Sequence, residues 1–363
     1  GEDYIKLLED LNGTEEKHGQ CMNRLYYLSI PPNIFKTTVQ NLGQYGLNQS
    51  CQHGVADTRL LVEKPFGYDL TSAKELIAET GKVFREEQVF RIDHYLAKET
   101  VQNILTFRSY NPIFAAVWDH NHIRGIEITA AEKIGIEGRV GFYEGLGALR
   151  DLVQSHLLQL LALVTMELPA SMDSSQAVHD AKHELLKVVH PADPARAVRA
   201  QYETYREEVN NPASATETYA QLELTINNHR WHKVPITITT GKALQDKKTE
   251  IAVIFANPND PPAHDNILTF RLQPNEGIHL QLCVKKPSFA HEIEKTVMDF
   301  SYKDTFVDHG HPDAYERVLV DAVRGDRTLF ATSDEVILSW KILEKVLEAW
   351  RDNTDNMLIY KNG

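Results

Sequence analysis

The fold is decided by a stretch that begins Arg59-Leu-Leu-Val-Glu-Lys-Pro-Phe-Gly67 and ends Val89-Phe-Arg-Ile-Asp-His-Tyr-Leu-Ala-Lys-Glu99. Each of these two segments opens with a short apolar run, which predicts a buried β-strand. Between them, apolar residues at helical spacing predict a helix from about Thr71 to Arg85, with Ser72 and Glu75 as its capping box. A strand, a turn, a helix and a second strand in this order are typical of a parallel α/β sheet.

The pattern outside this stretch predicts a second kind of architecture. Toward the amino terminus, Arg24-Leu-Tyr-Tyr-Leu-Ser-Ile30 predicts another strand, which ends at Pro31 and Pro32. Beyond residue 96, strands that follow one another without intervening helices favour an antiparallel sheet. Residues 191–215, rich in Pro, Ala, Arg and Asn, are predicted to be a surface connection. Helices are predicted over about 98–107, 146–166, 176–189, 313–323 and 334–350, and strands over about 125–131, 218–227, 236–240, 250–255, 266–272 and 278–284.

Composition excludes several classes of protein. The net charge of −13 argues against a general binder of nucleic acid or of anionic membranes, since both need a basic surface. No apolar run approaches the ~18 residues that a membrane-spanning helix needs. The three cysteines include no C-x-x-C pair, which argues against a disulfide framework and a thiolate zinc site and favours a reducing cytosol. The histidines show no metal-site signature, and His179 and His183 are predicted to lie on an exposed helix, so no metal is expected.

Three polar clusters are candidates for chemistry. In the first, Asp93, His94 and Lys98 follow a strand, where open α/β sheets bind ligands, and a helix would place His94 and Lys98 on one face; a solvated helix start is the alternative. In the second, His156 lies in a leucine-rich helix and is suited to accept a hydroxyl proton; a core histidine is the alternative. The third, Gly241–Lys248, could hold a phosphate with its lysines, or be a solvated loop.

Eight stretches, in order along residues 23–350, resemble motifs of one family. Arg91-Ile-Asp-His-Tyr-Leu-Ala-Lys-Glu99 closely resembles the signature of glucose-6-phosphate dehydrogenases. The other seven stretches that are similar to motifs of this family are Asn23–Pro32, Val62–Gly67, Ile136–Arg139, Arg150–Gln159, Gly241-Lys242, Arg271–Glu276 and Asp313–Arg317.

The resemblance implies an NADP-dependent oxidoreductase acting on a CH–OH group. The reaction would oxidise D-glucose 6-phosphate at C1 to 6-phosphoglucono-1,5-lactone, at the entry to the pentose phosphate pathway. The resemblance implies that His156 is the general base, that Asp93 is its carboxylate partner, and that Pro65 follows a cis peptide bond. The implied substrate-binding residues are Lys64, His94, Tyr95, Lys98, Glu132, Asp151, Lys242, Lys247 and Gln273, and the implied cofactor-binding residues are Pro31, Pro32 and Lys64.

The implied fold class is α/β plus α+β. An incomplete Rossmann-like parallel sheet over residues 1–93 would be the remainder of the NADP-binding domain, and a large α+β domain with an antiparallel sheet over residues 94–363 would bind substrate and form oligomers. The family's Gly-rich phosphate-binding loop is absent before Asn23, so the chain is expected to be incomplete at its amino terminus, to keep the sugar-phosphate pocket and to turn over weakly or not at all.

The expected partners are glucose 6-phosphate, NADP and further copies of the chain, as a homodimer or homotetramer in the cytoplasm. Thr239 stands where animal members of the family carry an arginine for a second NADP, so that second site is not expected. No membrane or nucleic acid is expected to bind. The alternative is a non-catalytic paralogue that senses a sugar phosphate or binds a partner protein.

Overall fold

The structure is a computed structural model, and it describes residues 1–50, 56–257, 264–306, 313–351 and 354–363. The chain forms two compact units. The first consists of Gly1–Ala97, Ser171–His179 and Pro312–Trp340, and the second of Lys98–Ala170, Asp180–His311 and Lys341–Gly363. The first unit thus includes residues 94–97 and two later segments, all within the range that the sequence analysis assigned to the second domain.

Helices and strands alternate in the first part of the chain, and strands dominate the second. The strands are β1 (Arg24–Leu28), β2 (Thr58–Val62), β3 (Val89–Ile92), β4 (Ile123–Ala131), β5 (Ala197–Tyr202), β6 (Tyr219–Leu224), β7 (Ile236–Gly241), β8 (Lys248–Phe255), β9 (Asn266–Gln273), β10 (Gly277–Lys285), β11 (Ile293–Ser301), β12 (Phe330–Ala331) and β13 (Met357–Tyr360). The α-helices are α1 (Glu2–His18), α2 (Pro32–Gln44), α3 (Leu70–Gly81), α4 (Glu99–Tyr110), α5 (Pro112–Ala115), α6 (Val140–Tyr143), α7 (Leu158–Thr165), α8 (Ser175–Leu186), α9 (Tyr205–Glu208), α10 (Tyr302–Thr305), α11 (Ala314–Arg324) and α12 (Ser333–Trp350).

The sheet of the first unit confirms the predicted parallel α/β pattern. Its strand order is β1-β2-β3-β12, with β1, β2 and β3 parallel and β12 antiparallel to β3. The capping box predicted for α3 is wrong in detail, because Asp69 is the N-cap and Ser72 lies at the third helical position. The Asp69 carboxylate accepts the Ser72 N–H at 2.8 Å, and the Ser72 hydroxyl accepts the Asp69 N–H at 3.1 Å, so both unpaired donors of the helix start are satisfied.

The second unit contains a nine-stranded sheet in the order β11-β10-β9-β8-β4-β7-β6-β5-β13. Neighbouring strands are antiparallel except for the parallel pairs β4·β7 and β5·β13, so the predicted antiparallel sheet is confirmed as the main arrangement. Two parallel strands in the middle of this sheet place their carboxyl ends side by side, which determines the geometry of the candidate site described below.

The predicted surface connection over residues 191–215 is wrong, because it contains β5. Polar residues hid this strand: Arg199 and Gln201 are buried, although polar side chains are typical of surface loops. The Arg199 guanidinium donates to the backbone carbonyls of Trp350 at 3.0 Å and Asp355 at 2.7 Å. The Gln201 amide donates to the carbonyls of residues 214 and 216. These donor groups are therefore buried with hydrogen-bond partners.

Two further expectations are corrected. His179 is buried rather than exposed, because its ring nitrogens contact the Glu335 carboxylate at 2.9 Å and the Arg327 carbonyl at 3.0 Å. Cys21 is disulfide-bonded and Cys283 is a free thiol; Cys51 lies outside the described residues. A cysteine count cannot show which thiols the fold brings together. Within the described part of the chain, none of the helices combines the length and the apolar character that crossing a membrane requires.

Candidate active site

Glu132 and Lys242 meet at one end of the nine-stranded sheet. Ala131 and Gly241 are paired in register at the ends of the parallel strands β4 and β7, so the next residue of each strand lies beside the other. The Lys242 ammonium donates to the Glu132 carboxylate. The same ammonium lies 5.3 Å from the centroid of the Tyr143 ring, on whose face a cation is attracted. Lys242 is buried, and these two contacts hold its charge at a defined point.

Lys98 and Gln273 lie at the same end of the sheet. Ala131 pairs with Lys248 at the start of β8, and Thr249 pairs with Gln273 at the end of β9. The Gln273 amide donates to the Thr249 hydroxyl at 3.1 Å and accepts from the Lys98 ammonium at 2.5 Å. Since adjacent strands are about 4.8 Å apart, the end of β9 lies about 10 Å from the end of β4. One sheet end therefore carries the ammonium groups of Lys98 and Lys242, a carboxylate and an amide, with Lys248 at the start of β8.

His156 and Asp151 lie on a π-helix that packs against β4 and β7. The predicted helix over 146–166 is confirmed, but its first part, Leu149–Leu157, is a π-helix and only its second part, α7, is an α-helix. Hydrogen bonds from i to i+5 place residues five apart on roughly one side, one turn from each other. His156 is 1% exposed, so a water molecule has little access to its ring. Such segments are rare and occur frequently at functional sites.

Tyr143 supports Lys242 at the sheet end. Burial raises the pKa of Tyr143 well above its usual value, and the charges of Asp151 and Glu217 raise it further. The phenol therefore stays neutral at physiological pH, and its ring serves as a support for Lys242 rather than as an acid. Sequence analysis did not identify Tyr143, because an aromatic residue near a turn carries no signal of this role.

Buried side chains donate hydrogen bonds to the carboxyl end of α7. A helix leaves its last carbonyls without partners, and here the carbonyls of residues 163–166 all accept from side chains. Arg108 donates to the carbonyls of residues 163 and 166 at 2.7 and 2.6 Å. Trp118 donates to the carbonyl of residue 164 at 2.9 Å, and Trp231 donates to that of residue 165 at 2.7 Å. The helix that carries His156 is thus held at this end.

In the first unit, the carboxyl ends of β1 and β2 line a cavity of about 140 Å³. Pro32 follows β1, and Lys64 and Pro65 follow β2; all three line this cavity together with apolar residues such as Leu28 and Phe35. The peptide bond between Lys64 and Pro65 is cis, as the family resemblance predicts. Pro31 is the N-cap of α2 beside this cavity.

The cluster after β3 is compact, but it is not helical. Asp93 is buried, and its carboxylate accepts the backbone N–H of Tyr95 at 3.0 Å. The predicted common helix face of His94 and Lys98 is wrong, because α4 begins only at Glu99 and His94 lies in a turn. The His94 ring instead stacks on Tyr315 at a centroid distance of 6.3 Å. Tyr315 belongs to the family-like stretch Asp313–Arg317, which was identified without a role.

Lys247 is exposed, on the loop that begins with Lys242 and ends at Lys248 of β8. The structure therefore brings Glu132, Lys242, Lys98 and Gln273 to one sheet end. It places Asp151 and His156 on the helix packed against that sheet, and Pro32 and Lys64 at a cavity of the first unit. The roles of these residues stay predictions.

Comparison with known proteins gives the family. Residues 1–103 match the family model of the glucose-6-phosphate dehydrogenase NAD binding domain, and residues 105–363 match that of the glucose-6-phosphate dehydrogenase C-terminal domain. The chain belongs to the glucose-6-phosphate dehydrogenase family.

Individual relatives cover most of the chain. It is 41% identical to glucose-6-phosphate 1-dehydrogenase of Chlamydia muridarum, over 96% of this chain and 73% of that protein. It is 40% identical to glucose-6-phosphate 1-dehydrogenase of Dictyostelium discoideum, over 94% of this chain and 71% of that protein. A solved glucose-6-phosphate dehydrogenase in complex with its substrate glucose 6-phosphate matches with a TM-score of 0.89 and 34% identity, over 99% of this chain and 76% of that one.

The cavity of the first unit fits one end of the nicotinamide cofactor of this family. Its volume of about 140 Å³ is well below the ~300–1,000 Å³ typical of pockets for drug-sized ligands. It therefore suits a single ring rather than a whole dinucleotide. Pro32 and Phe35 supply apolar walls, and Lys64 supplies a polar group at its rim.

Proposed function

We propose that this chain oxidises D-glucose 6-phosphate at C1 to 6-phosphoglucono-1,5-lactone, with NADP as the acceptor. The observation that carries the proposal is the sheet end where Glu132, Lys242, Lys98 and Gln273 meet, beside the helix of His156. Membership of the glucose-6-phosphate dehydrogenase family supports it, as does the solved relative that is described in complex with glucose 6-phosphate.

His156 is the proposed general base. Oxidation of C1 to a lactone requires that its hydroxyl proton leave, and a neutral imidazole accepts a proton near neutral pH. The ring is buried and its helix is held at its carboxyl end, which restricts the movement of the base. When bound, NADP supplies the ring that accepts the hydride from C1.

Lys98 and Lys242 are the proposed cations for the anionic substrate. A phosphate dianion is attracted to ammonium groups, and both of these are held by neighbouring side chains rather than extended into water. The phosphate is remote from C1, so its binding energy serves to orient the reacting carbon. His94, Tyr95, Lys64 and Lys247 complete the proposed substrate-binding set.

Glu132 and Asp151 are the proposed acceptors for sugar hydroxyls. An ionised carboxylate only accepts hydrogen bonds, so it suits a hydroxyl donor. The Glu132 side chain is 31% exposed while paired with Lys242, so a ligand can reach it.

Calorimetry and an absorbance assay for reduced nicotinamide test the function on the full chain. We expect glucose 6-phosphate to bind, and its addition to reduce NADP faster than NAD. His156→Asn is expected to lower turnover by roughly 10²–10⁴-fold with little change in sugar-phosphate affinity. The matched control is His183→Asn, on a partly exposed histidine of α8, which should change neither.

Two results would point elsewhere. Absence of glucose 6-phosphate binding would contradict the substrate assignment. Unchanged turnover in His156→Asn would remove the base assignment while leaving the substrate assignment intact.

Asp93 is the proposed carboxylate partner of this imidazole, on the grounds of the family resemblance. A carboxylate that acts through a histidine has no further effect once the histidine is gone. We therefore expect the double variant Asp93→Asn/His156→Asn to turn over no more slowly than His156→Asn alone. Effects that multiply would show that Asp93 acts independently.

We also propose self-association through the large sheet. β11 is one of the two edge strands of this sheet, and it carries the exposed apolar side chains Ile293 and Val297, with exposed Phe289 just before it. An exposed apolar edge strand is a template for pairing with another chain. Light scattering should give a multiple of 41.3 kDa, and a Val297→Lys variant should shift the mass toward that of one chain.

A further inference from the structure

Glu217 accepts hydrogen bonds from the start of the π-helix that carries Asp151 and His156. Its side-chain Oε1 accepts the backbone N–H of Leu149 at 2.9 Å, and its own backbone carbonyl accepts the N–H of Ala148 at 3.0 Å. The first N–H groups of a helix have no partner within it, so these bonds hold the helix at its amino end. The same backbone carbonyl also accepts the Tyr143 hydroxyl at 3.4 Å.

Glu217 thereby contacts both halves of the proposed substrate site. Through Leu149 it holds the helix of Asp151 and His156, and through Tyr143 it holds the ring on which the Lys242 ammonium rests. Among the described residues its hydrogen bonds reach Ala148, Leu149 and Tyr143, so its action on the sheet end and on the ring of His156 is indirect.

The Glu217 carboxyl group packs directly against the backbone of Gly147. A Cβ added at Gly147 would lie 2.3 Å from Glu217 Oε1 and 2.5 Å from its Cδ, which no real Cβ permits. Gly147 also has φ of 74°, a left-handed conformation that side chains other than glycine rarely adopt. The turn before the π-helix therefore leaves room for the Glu217 carboxyl and for nothing larger at position 147.

A negative charge on Glu217 is energetically unfavourable in this position, because the side chain is buried. Burial raises its pKa above the usual 4.5, while Arg150 on the π-helix and Arg199 on β5 oppose that rise, and Tyr143 is the other titratable group that faces it. The bond to the Leu149 N–H needs only an acceptor oxygen at this position, which a neutral glutamine also supplies.

We propose that Glu217 is a positioning residue of the substrate site, whose carboxyl group sets the start of the His156 helix, next to the backbone carbonyl that accepts the Tyr143 hydroxyl. The inference rests on the proposed function, since it assigns Glu217 to the same site. Its specific consequence is that the acceptor oxygen of residue 217 matters for substrate binding separately from its contribution to stability.

The test compares Glu217→Ala with Glu217→Gln in the full chain. Alanine removes the acceptor of the Leu149 N–H, so we expect the Kd for glucose 6-phosphate, measured by calorimetry, to rise about tenfold, or about 1.4 kcal/mol. Glutamine keeps an acceptor oxygen of the same reach, so its Kd should stay within about threefold of the wild type. The matched controls are Glu223→Ala and Glu223→Gln, at a half-exposed glutamate on the strand β6 that follows Glu217, which should leave the Kd unchanged.

Nuclear magnetic resonance of the Leu149 amide, with labelled leucine, gives a readout independent of substrate. In the wild type this amide resonance should move with pH as Glu217 titrates, and in Glu217→Gln the movement should be absent. If the wild type does not bind glucose 6-phosphate, the proposed function fails, and the amide resonance still decides whether Glu217 holds the helix.

Two results would overturn the proposal. One is an unchanged Kd in a folded Glu217→Ala variant. The other, which remains measurable if Glu217→Ala does not fold, is a Leu149 resonance whose pH dependence is the same in the wild type and in Glu217→Gln.

Discussion

Replacing Arg108 with methionine tests how the helix that carries His156 is held. Arg108 is buried on α4, and its guanidinium donates to the carbonyls of Leu163 at 2.7 Å and Met166 at 2.6 Å. Methionine fills much of the same volume without a donor. The variant therefore leaves two carbonyl groups at the end of α7 buried without these partners.

The magnitude follows from opposing contributions. Each hydrogen bond from a charged donor contributes about 1.5–3 kcal/mol, and the cation 5.7 Å from the Trp118 ring adds about 0.5–1 kcal/mol. Burial lowers the pKa of Arg108 to about 9, so the group stays charged at neutral pH but at a desolvation cost that the variant recovers. The net loss in the free energy of unfolding is expected to be about 2–4 kcal/mol, because the variant no longer buries a charge and this offsets part of the lost interaction energy.

Thermal and denaturant unfolding at neutral pH measure this loss. For a domain of about 150–250 residues, each kcal/mol lowers Tm by about 2–4 °C, so a fall of roughly 5–15 °C is expected. The control is Arg196→Met, because Arg196 pairs with Glu223 where both side chains are well exposed, and such pairs contribute at most about 1 kcal/mol. If the two variants unfold at the same denaturant concentration, Arg108 does not fasten the helix.

Three further predictions concern the site and the fold. Lys98→Met should weaken binding of glucose 6-phosphate by roughly 10–100-fold in calorimetry, because it removes an ammonium held by Gln273; an unchanged Kd would exclude Lys98 from the substrate site. Above the raised pKa of Glu217, the Glu217→Gln variant should be more stable than the wild type, because the wild type loses stability as pH rises through that pKa. Denaturation over a pH series checks this. A difference in the free energy of unfolding between the two proteins that does not widen with pH would contradict it. Asp69→Ala should lower the free energy of unfolding by about 1 kcal/mol through loss of the α3 cap, whereas an unaltered unfolding midpoint would show that the cap contributes nothing.

Sequence reasoning found most of the elements but missed those whose signal is not local. The strands β1, β2 and β3 were predicted because their apolar runs end at Pro or polar residues. β11, whose side chains are largely exposed, was not predicted, because an exposed strand shows no apolar face. β5 was mistaken for a connection, because its buried Arg199 and Gln201 reach backbone carbonyls that no local pattern shows.

The candidate site was predicted by its residue types and completed by geometry. The family resemblance implied Lys242, Glu132 and Gln273, and the structure adds the supporting groups Tyr143 and Thr249. The π-helix of His156 was also beyond the sequence, because apolar spacing does not separate a π turn from an α turn in a leucine-rich segment.

The amino-acid sequence by itself determined the local elements, the change from alternating helices and strands to consecutive strands, and the family of motifs that points to a sugar phosphate. The tertiary structure alone decided that Glu132 and Lys242, 110 residues apart, lie side by side, because β4 and β7 run parallel in register. It also decided that Glu217 meets Leu149. Local patterns arise from contacts within a few residues, whereas these pairings depend on strand register and on the space left by glycine, which many distant residues set together.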